Sequence, residues 1–283
     1  MTGGMRRPPK TQRPRGRIEE ADMLRGLYTA YTGMVNQQKR MDTMTNNLAN
    51  VNTVGFKKEG ATNEAFSDVL AYRLKDVTTP GSGSYIGQMN LGVKIGENYT
   101  DWTQGAFRNT ENTYDLALSG SGFFSIEFTN KNDETMTLYT RDGGFTVNTA
   151  GYLVNDNGDY VLGRDAGGGL ERIQLDPTKD TYIDQTGGIY QDDELMATLQ
   201  ITDFADYNYL AKYGENYYRA IEGAEIQDTD ARVHSGYLEQ SNVESVQEMV
   251  NMITIQRNYE ANQKVITTLD RSLDIAVNQI GKV

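Results

Sequence analysis

The sequence predicts an α+β chain: long N- and C-terminal helices forming a coiled-coil-like stalk, with a central β-rich domain. Three observations predict it. From Leu27 to Leu48, and again from Met249 to Ile280, mostly apolar residues recur at alternating steps of four and three, the spacing of a helical seam. Between these stretches apolar and polar residues alternate singly, as at Phe124, Ile126 and Phe128, which is the spacing of strands with one buried face. The chain of 283 residues is long enough for about two domains.

Residues 1–22 carry three of the five prolines and six basic side chains against three acidic ones. With almost nothing apolar to bury, they are expected to be a disordered leader, with translation starting at Met23. Residues 23–57 form the N-terminal helix and its exit. The seam runs through Leu27, Tyr31, Met34, Gln38, Met41, Thr45 and Leu48, and its polar members are of the kind that fix register or partner number. The run Asn46 to Lys57 then leaves helical spacing, with Asn and Gly55 suited to turn conformations. Residues 58–112 read as an extended linker, most flexible at Thr78 to Ser84. Residues 113–235 read as the β-rich domain, punctuated by Asn132-Asp133, Asp142-Gly143-Gly144, Thr149-Ala150-Gly151 and Asn157-Gly158. Residues 236–283 form the C-terminal helix. Ser241 to Glu244 has capping-box spacing, and Gly281 stands where a C-terminal cap is expected. Its seam passes through Met249, Met252, Gln256, Tyr259, Gln263, Ile266, Asp270, Leu273, Val277 and Ile280.

Composition removes several functions. With 39 acidic against 27 basic residues the formal charge is -12, unsuited to tracking phosphate backbones, so no nucleic-acid partner is expected. The absence of cysteine excludes disulfides, thiolate nucleophiles and cysteine-ligated zinc. A single histidine, His234, excludes a His-pair metal site and reads as a surface or packed side chain. Ser119 to Phe124 contains a Gly-x-Gly, but Ser125 and a strand follow. The dinucleotide fingerprint therefore fails, leaving a tight turn at Gly120 and Gly122 that feeds Phe123 and Phe124. Asn155 to Asp159 has calcium-loop chemistry. Aligning Gly158 with the required glycine, however, puts Leu153 first and Arg164 last. No catalytic residue, cofactor or metal is expected, although paired carboxylates for glycoside hydrolysis are defined only in space and stay open. The 18 tyrosines and the methionines of the two seams suit interfaces that adapt to several neighbours.

Three ordered motifs carry a resemblance. Leu48-Ala49-Asn50-Val51-Asn52-Thr53 with Gly55-Phe56-Lys57 resembles the N-terminal signature of bacterial flagellar rod and hook proteins. Leu118 to Phe124 and Tyr139 to Phe145 resemble the start of that family's β domain. Gly236 to Val243, Glu248 to Ile253 and Gln256 to Asn262 resemble its C-terminal signature, most similar to the distal rod branch, with the proximal rod branch next. The resemblance implies export through the flagellar export apparatus without a cleaved signal. It implies polymerisation into a hollow helical drive shaft in the basal body, terminal helices innermost, in contact with other rod proteins, the hook and the bushing-ring proteins. Assembly contacts are then expected at Leu27, Tyr31, Met34, Met41, Leu48, Met249, Met252, Tyr259, Ile266, Leu273, Val277 and Ile280. Structural roles fall to Asn47, Leu48, Ala49, Asn50, Gly55, Phe56, Gly120, Gly122, Phe123 and Phe124. A secreted β-rich carbohydrate-binding or hydrolytic protein with helical flanks is the alternative from another class. It would bind or cleave glycans as a monomer, whereas a rod subunit would form tubes.

Overall fold

The computed structural model describes residues 15–66, 69–73, 84–89, 92–130, 133–164, 169–214, 216–275 and 277–278. Among them, two α-helices, α1 (Arg15–Ala49) and α2 (Ser245–Ile275), flank twenty-one short strands. The chain is mostly antiparallel β-structure, which overturns the expected α+β architecture built on a coiled-coil-like stalk. The helices exist, but the seams that were to interlock alternate between half-buried and exposed positions: Tyr31 is 55% exposed and Met249 50%, and Gln38 and Thr45 are also exposed.

Two further expectations change. α1 begins at Arg15, upstream of Met23. The stretch Arg15 to Met23 holds Arg, Ile, Glu, Ala and Met, good helix formers with a single glycine among them, so local propensity continues the helix. Residues 1–14 lie outside the described residues. The expected linker, 58–112, carries strands instead. Glu59–Ala65 pairs with Val93–Thr100, and Val69–Arg73 pairs with Ser84–Met89. Glu59–Ala65 has no alternating apolar face and its pairing is non-local, so periodicity could not reveal it. Apart from Ser84, the Thr78 to Ser84 stretch lies outside the described residues, as do Ile280 and Gly281.

The chain divides into two units, residues 1–45, 60–99 and 249–283, and residues 46–59 and 100–248. The second, here the β unit, is organised around strand Phe123–Thr129. That strand pairs with Thr135–Thr140 on one side and with Tyr160–Arg164 and Ile201–Phe204 on the other. Phe124 enters a core with Leu116, Leu118, Phe145, Leu153, Val161 and Val233. Phe123, on the opposite face, enters a second cluster with Phe204, Leu210 and Tyr218. The only tryptophan, Trp102, joins that cluster, with ring centroids 5.4 Å from Phe123, 5.1 Å from Tyr207 and 4.8 Å from Tyr218. Both faces are thus covered here, which is why Ser125, read as a polar outward position, is buried and meets the Thr202 hydroxyl at 3.1 Å. The turn residues act as the sequence implied. The Asn155 side-chain oxygen accepts from the amides of Asn157 (3.0 Å) and Asp159 (2.9 Å), while its Nδ2 donates to the Tyr217 hydroxyl at 2.6 Å.

Candidate assembly interface and junction

In the helical unit the inner stripe of α1 lies one residue upstream of the predicted seam. Gly26, Ala30, Gly33, Gln37, Arg40 and Met44 are all buried or half-buried, whereas the predicted stripe alternates between half-buried and exposed. A Cβ at Gly26 would lie 3.4 Å from Leu269 Cδ1, and one at Gly33 would lie 3.0 Å from Asn262 Nδ2. The two helices therefore run antiparallel and approach through glycines, because only a small side chain leaves room for the backbone there. On α2 the inner stripe takes Met252, Ile255, Tyr259, Asn262, Ile266, Leu269 and Leu273. Four predicted contacts, Met252, Tyr259, Ile266 and Leu273, belong to it. Leu27, Met34, Met41 and Leu48 are half-buried beside the α1 stripe, and Val277 is 71% exposed. The uncovered surface of the helices includes large apolar side chains: Tyr28 and Tyr31 on α1, and Met249, Val250 and Ile253 on α2, are each at least half exposed.

In the β unit the signature residues form one junction. Asn47 bonds both backbone groups of Glu59, its Nδ2 donating to the carbonyl at 2.8 Å and its Oδ1 accepting from the amide at 2.9 Å. Asn50 Nδ2 donates to the Asn46 carbonyl at 3.0 Å, and the Thr53 hydroxyl donates to Asn50 Oδ1 at 3.1 Å. Ala49 is exposed. Gly55 takes φ of +68°, and its amide donates to the Glu239 carbonyl at 2.8 Å. Phe56 is buried under Lys212, whose Nζ stands 4.7 Å from the ring centroid and also pairs with Glu59.

Lys57 is the centre of charge. Its Nζ donates to Glu239 Oε1 at 2.6 Å and to the Thr103 carbonyl at 2.8 Å. Burial lowers the Lys57 pKa against the opposing pull of Glu239. Arg141 Nη1 lies 3.4 Å from Glu239 Oε2, and its Nη2 donates to the Gly120 carbonyl at 2.8 Å, which joins the glycine turn to the same network. Gly120 and Gly122 have φ of +107° and +131°, and Phe123 and Phe124 behind them are fully buried. Next to Arg141, burial pushes the Asp142 carboxyl up to about 6, opposed by the Gly144 amide and the Asn216 side chain. Asn216 Nδ2 also donates to the Val54 carbonyl at 2.6 Å.

Sequence reasoning singled out Asn47, Asn50, Gly55, Phe56, Gly120, Gly122, Phe123 and Phe124 of this junction, but not Asn216. It missed the roles of Lys57, Arg141, Glu239, Asn242 and Glu248, although all five lie inside quoted motifs. A buried charge has no periodicity to betray it. The predicted capping box also differs, because the Ser241 hydroxyl accepts from the Val243 amide at 3.3 Å, upstream of a helix that begins at Ser245.

Comparison with known proteins adds an independent finding. Residues 27–57 match the model of the flagella basal body rod protein, 117–191 that of the flagellar hook protein FlgE/F/G D1 domain, and 234–280 that of the flagellar basal body rod FlgEFG protein C-terminal region. The chain is 34% identical to the flagellar basal-body rod protein FlgG of Bacillus subtilis, over 90% of this chain and 99% of that one. It is 34% identical to FlgG of Borreliella burgdorferi, over 90% and 98%. It is also 34% identical to the flagellar basal-body rod protein FlgF of Caulobacter vibrioides, over 91% and 98%.

Proposed function

The chain belongs to the flagellar basal-body rod family and is a structural subunit of that rod; from this premise we propose that it is the distal-type subunit. In this reading it is exported, then polymerises with copies of itself into the hollow shaft that transmits torque to the hook. It meets other rod proteins and the bushing ring along the way. The work is mechanical and uses no catalytic step. The observation that carries the reading is the outer face of the helical unit with its exposed apolar side chains, among them Tyr28 at 58% and Ile253 at 51%. Such a face costs free energy in water and is relieved when neighbouring subunits cover it.

The test is a strain whose only copy ends after Asn262. It loses the exposed apolar side chains Val265, Ile275 and Val277 together with the half-buried Ile266, Leu269 and Leu273. The expected result is soluble β-structured protein, no external filament and no swimming; normal swimming would remove the basis of the proposal. The similarity to FlgF favours one second reading, the proximal rod subunit. Complementing separate distal and proximal rod deletions with this chain separates the two.

A further inference from the structure

Residues 232–248 bring to the β unit a set of partners that engages four earlier segments at once. Strand Arg232–Ser235 pairs with Leu116–Ser119, which places Val233 in the core beside Leu116 and Leu118. Strand Tyr237–Glu239 pairs with Phe107–Asn109. Glu239, fully buried, accepts from Lys57 Nζ at 2.6 Å and from the Gly105 amide at 2.9 Å, and faces Arg141 at 3.4 Å. Asn242 Oδ1 accepts from the Lys58 amide at 2.7 Å, and its Nδ2 donates to the Asp101 carbonyl at 2.8 Å. Glu248 Oε1 lies 2.5 Å from Lys58 Nζ.

Without this segment, Leu116 and Leu118 lose their partner strand. Lys57 and Arg141 lose the carboxylate that touches both of them, and a buried charge stripped of its partner is strongly destabilising. Desolvation already lowers the Lys57 pKa with Glu239 in place. The cluster therefore depends on a side chain that arrives 182 residues after Lys57.

We infer that residues 232–248 are a latch, so that the β unit closes only when this segment is present, with Glu239 as the positioning residue that holds the two cations. A chain interrupted before the latch leaves the unit open, and one interrupted just after it does not. A folded β unit thus certifies that the chain has been completed through Glu248. The inference rests on the geometry of the β unit and stands or falls separately from the rod reading.

The experiment compares hydrogen exchange at the amides of Phe123–Thr129 and Thr135–Thr140 in the full chain, in a chain stopped after Asn251 and in a chain stopped after Ala231. Slow exchange is expected in the first two and lost in the third. Retained protection in the shortest chain overturns the latch, as does lost protection in the chain stopped after Asn251. In the full chain, Glu239→Gln should lower the unfolding midpoint while Glu244→Gln, an exposed carboxylate of the same segment, should not. An unmoved Glu239→Gln midpoint removes Glu239 from its assigned role.

Discussion

Lys57 Nζ and Glu239 Oε1 meet at 2.6 Å across 182 positions of sequence, with side chains 1% and 0% exposed. The partners are not equivalent. Removing Lys57 leaves Glu239 facing Arg141, still one cation to one anion. Removing the charge of Glu239 leaves two cations with no carboxylate in contact.

The first prediction is an order of costs. Glu239→Gln should lose about 3–5 kcal/mol of folding stability, the range for breaking a buried pair from one side. Lys57→Met should lose about half of that. Denaturant unfolding of the two variants measures both, and equal losses would mean that Arg141 does not share the carboxylate.

Asp142 predicts a pH dependence. Its folded pKa of about 6 lies above the ordinary carboxyl value of 3.8, so the folded state binds the extra proton between those values. The cost of keeping it ionised is fully present above about pH 6 and disappears below the unfolded value, so this group favours folding as pH falls. The shift corresponds to about 2–3 kcal/mol. The stability difference between the parent and Asp142→Asn should change by roughly that amount between about pH 8 and pH 4. A difference that stays constant with pH would show that the carboxyl titrates normally.

A glycine series separates backbone conformation from crowding. Gly158 has φ of +88° with nothing near an added Cβ, so Gly158→Ala should cost only about 1 kcal/mol for the left-handed backbone. Gly55 has φ of +68°, and its Cβ would lie 2.5 Å from the Arg141 carbonyl carbon and the Asp142 nitrogen. Gly55→Ala should therefore cost several times as much, because two backbone segments must part. Matching thermal midpoints for the two variants would contradict this.

The helix register is testable because the chain has no cysteine. Gly33→Cys with Asn262→Cys should link within one chain under mild oxidation or through a short bis-thiol reagent. Tyr31→Cys with Asn262→Cys should not. Linking of the second pair in preference to the first would restore the register read from the large apolar residues.

That register shows how far the sequence could be read. Helix existence is local, and the seven-residue spacing of Met252, Tyr259, Ile266 and Leu273 was visible directly. Which stripe faces inward was not, because weight given to Tyr31 and Met34 hid the approach through Gly26, Ala30 and Gly33. The same limit applied to the strands. The Phe124-Ile126-Phe128 alternation located the central strand, but not the second aromatic cluster that buries Ser125. Gly55, Gly120 and Gly122 were legible as turns because glycine is the residue that most readily takes the positive φ found at all three. The link from Gly120 through Arg141 to Glu239 and Lys57 depends on pairings 21, 98 and 182 residues apart, which no short window on the sequence contains.

Trp102 gives the molecule a built-in optical reporter. It is the sole indole in the chain, and its ring sits within about 5 Å of those of Tyr207 and Tyr218. Its emission colour and quenching therefore respond to loosening of the aromatic cluster in the β unit. Melting of the paired α1 and α2 stripes contributes no indole signal of its own and registers in the far-ultraviolet circular dichroism instead. One unlabelled sample read by both signals thus follows the two units separately, and the gap between their transitions measures how independently they unfold.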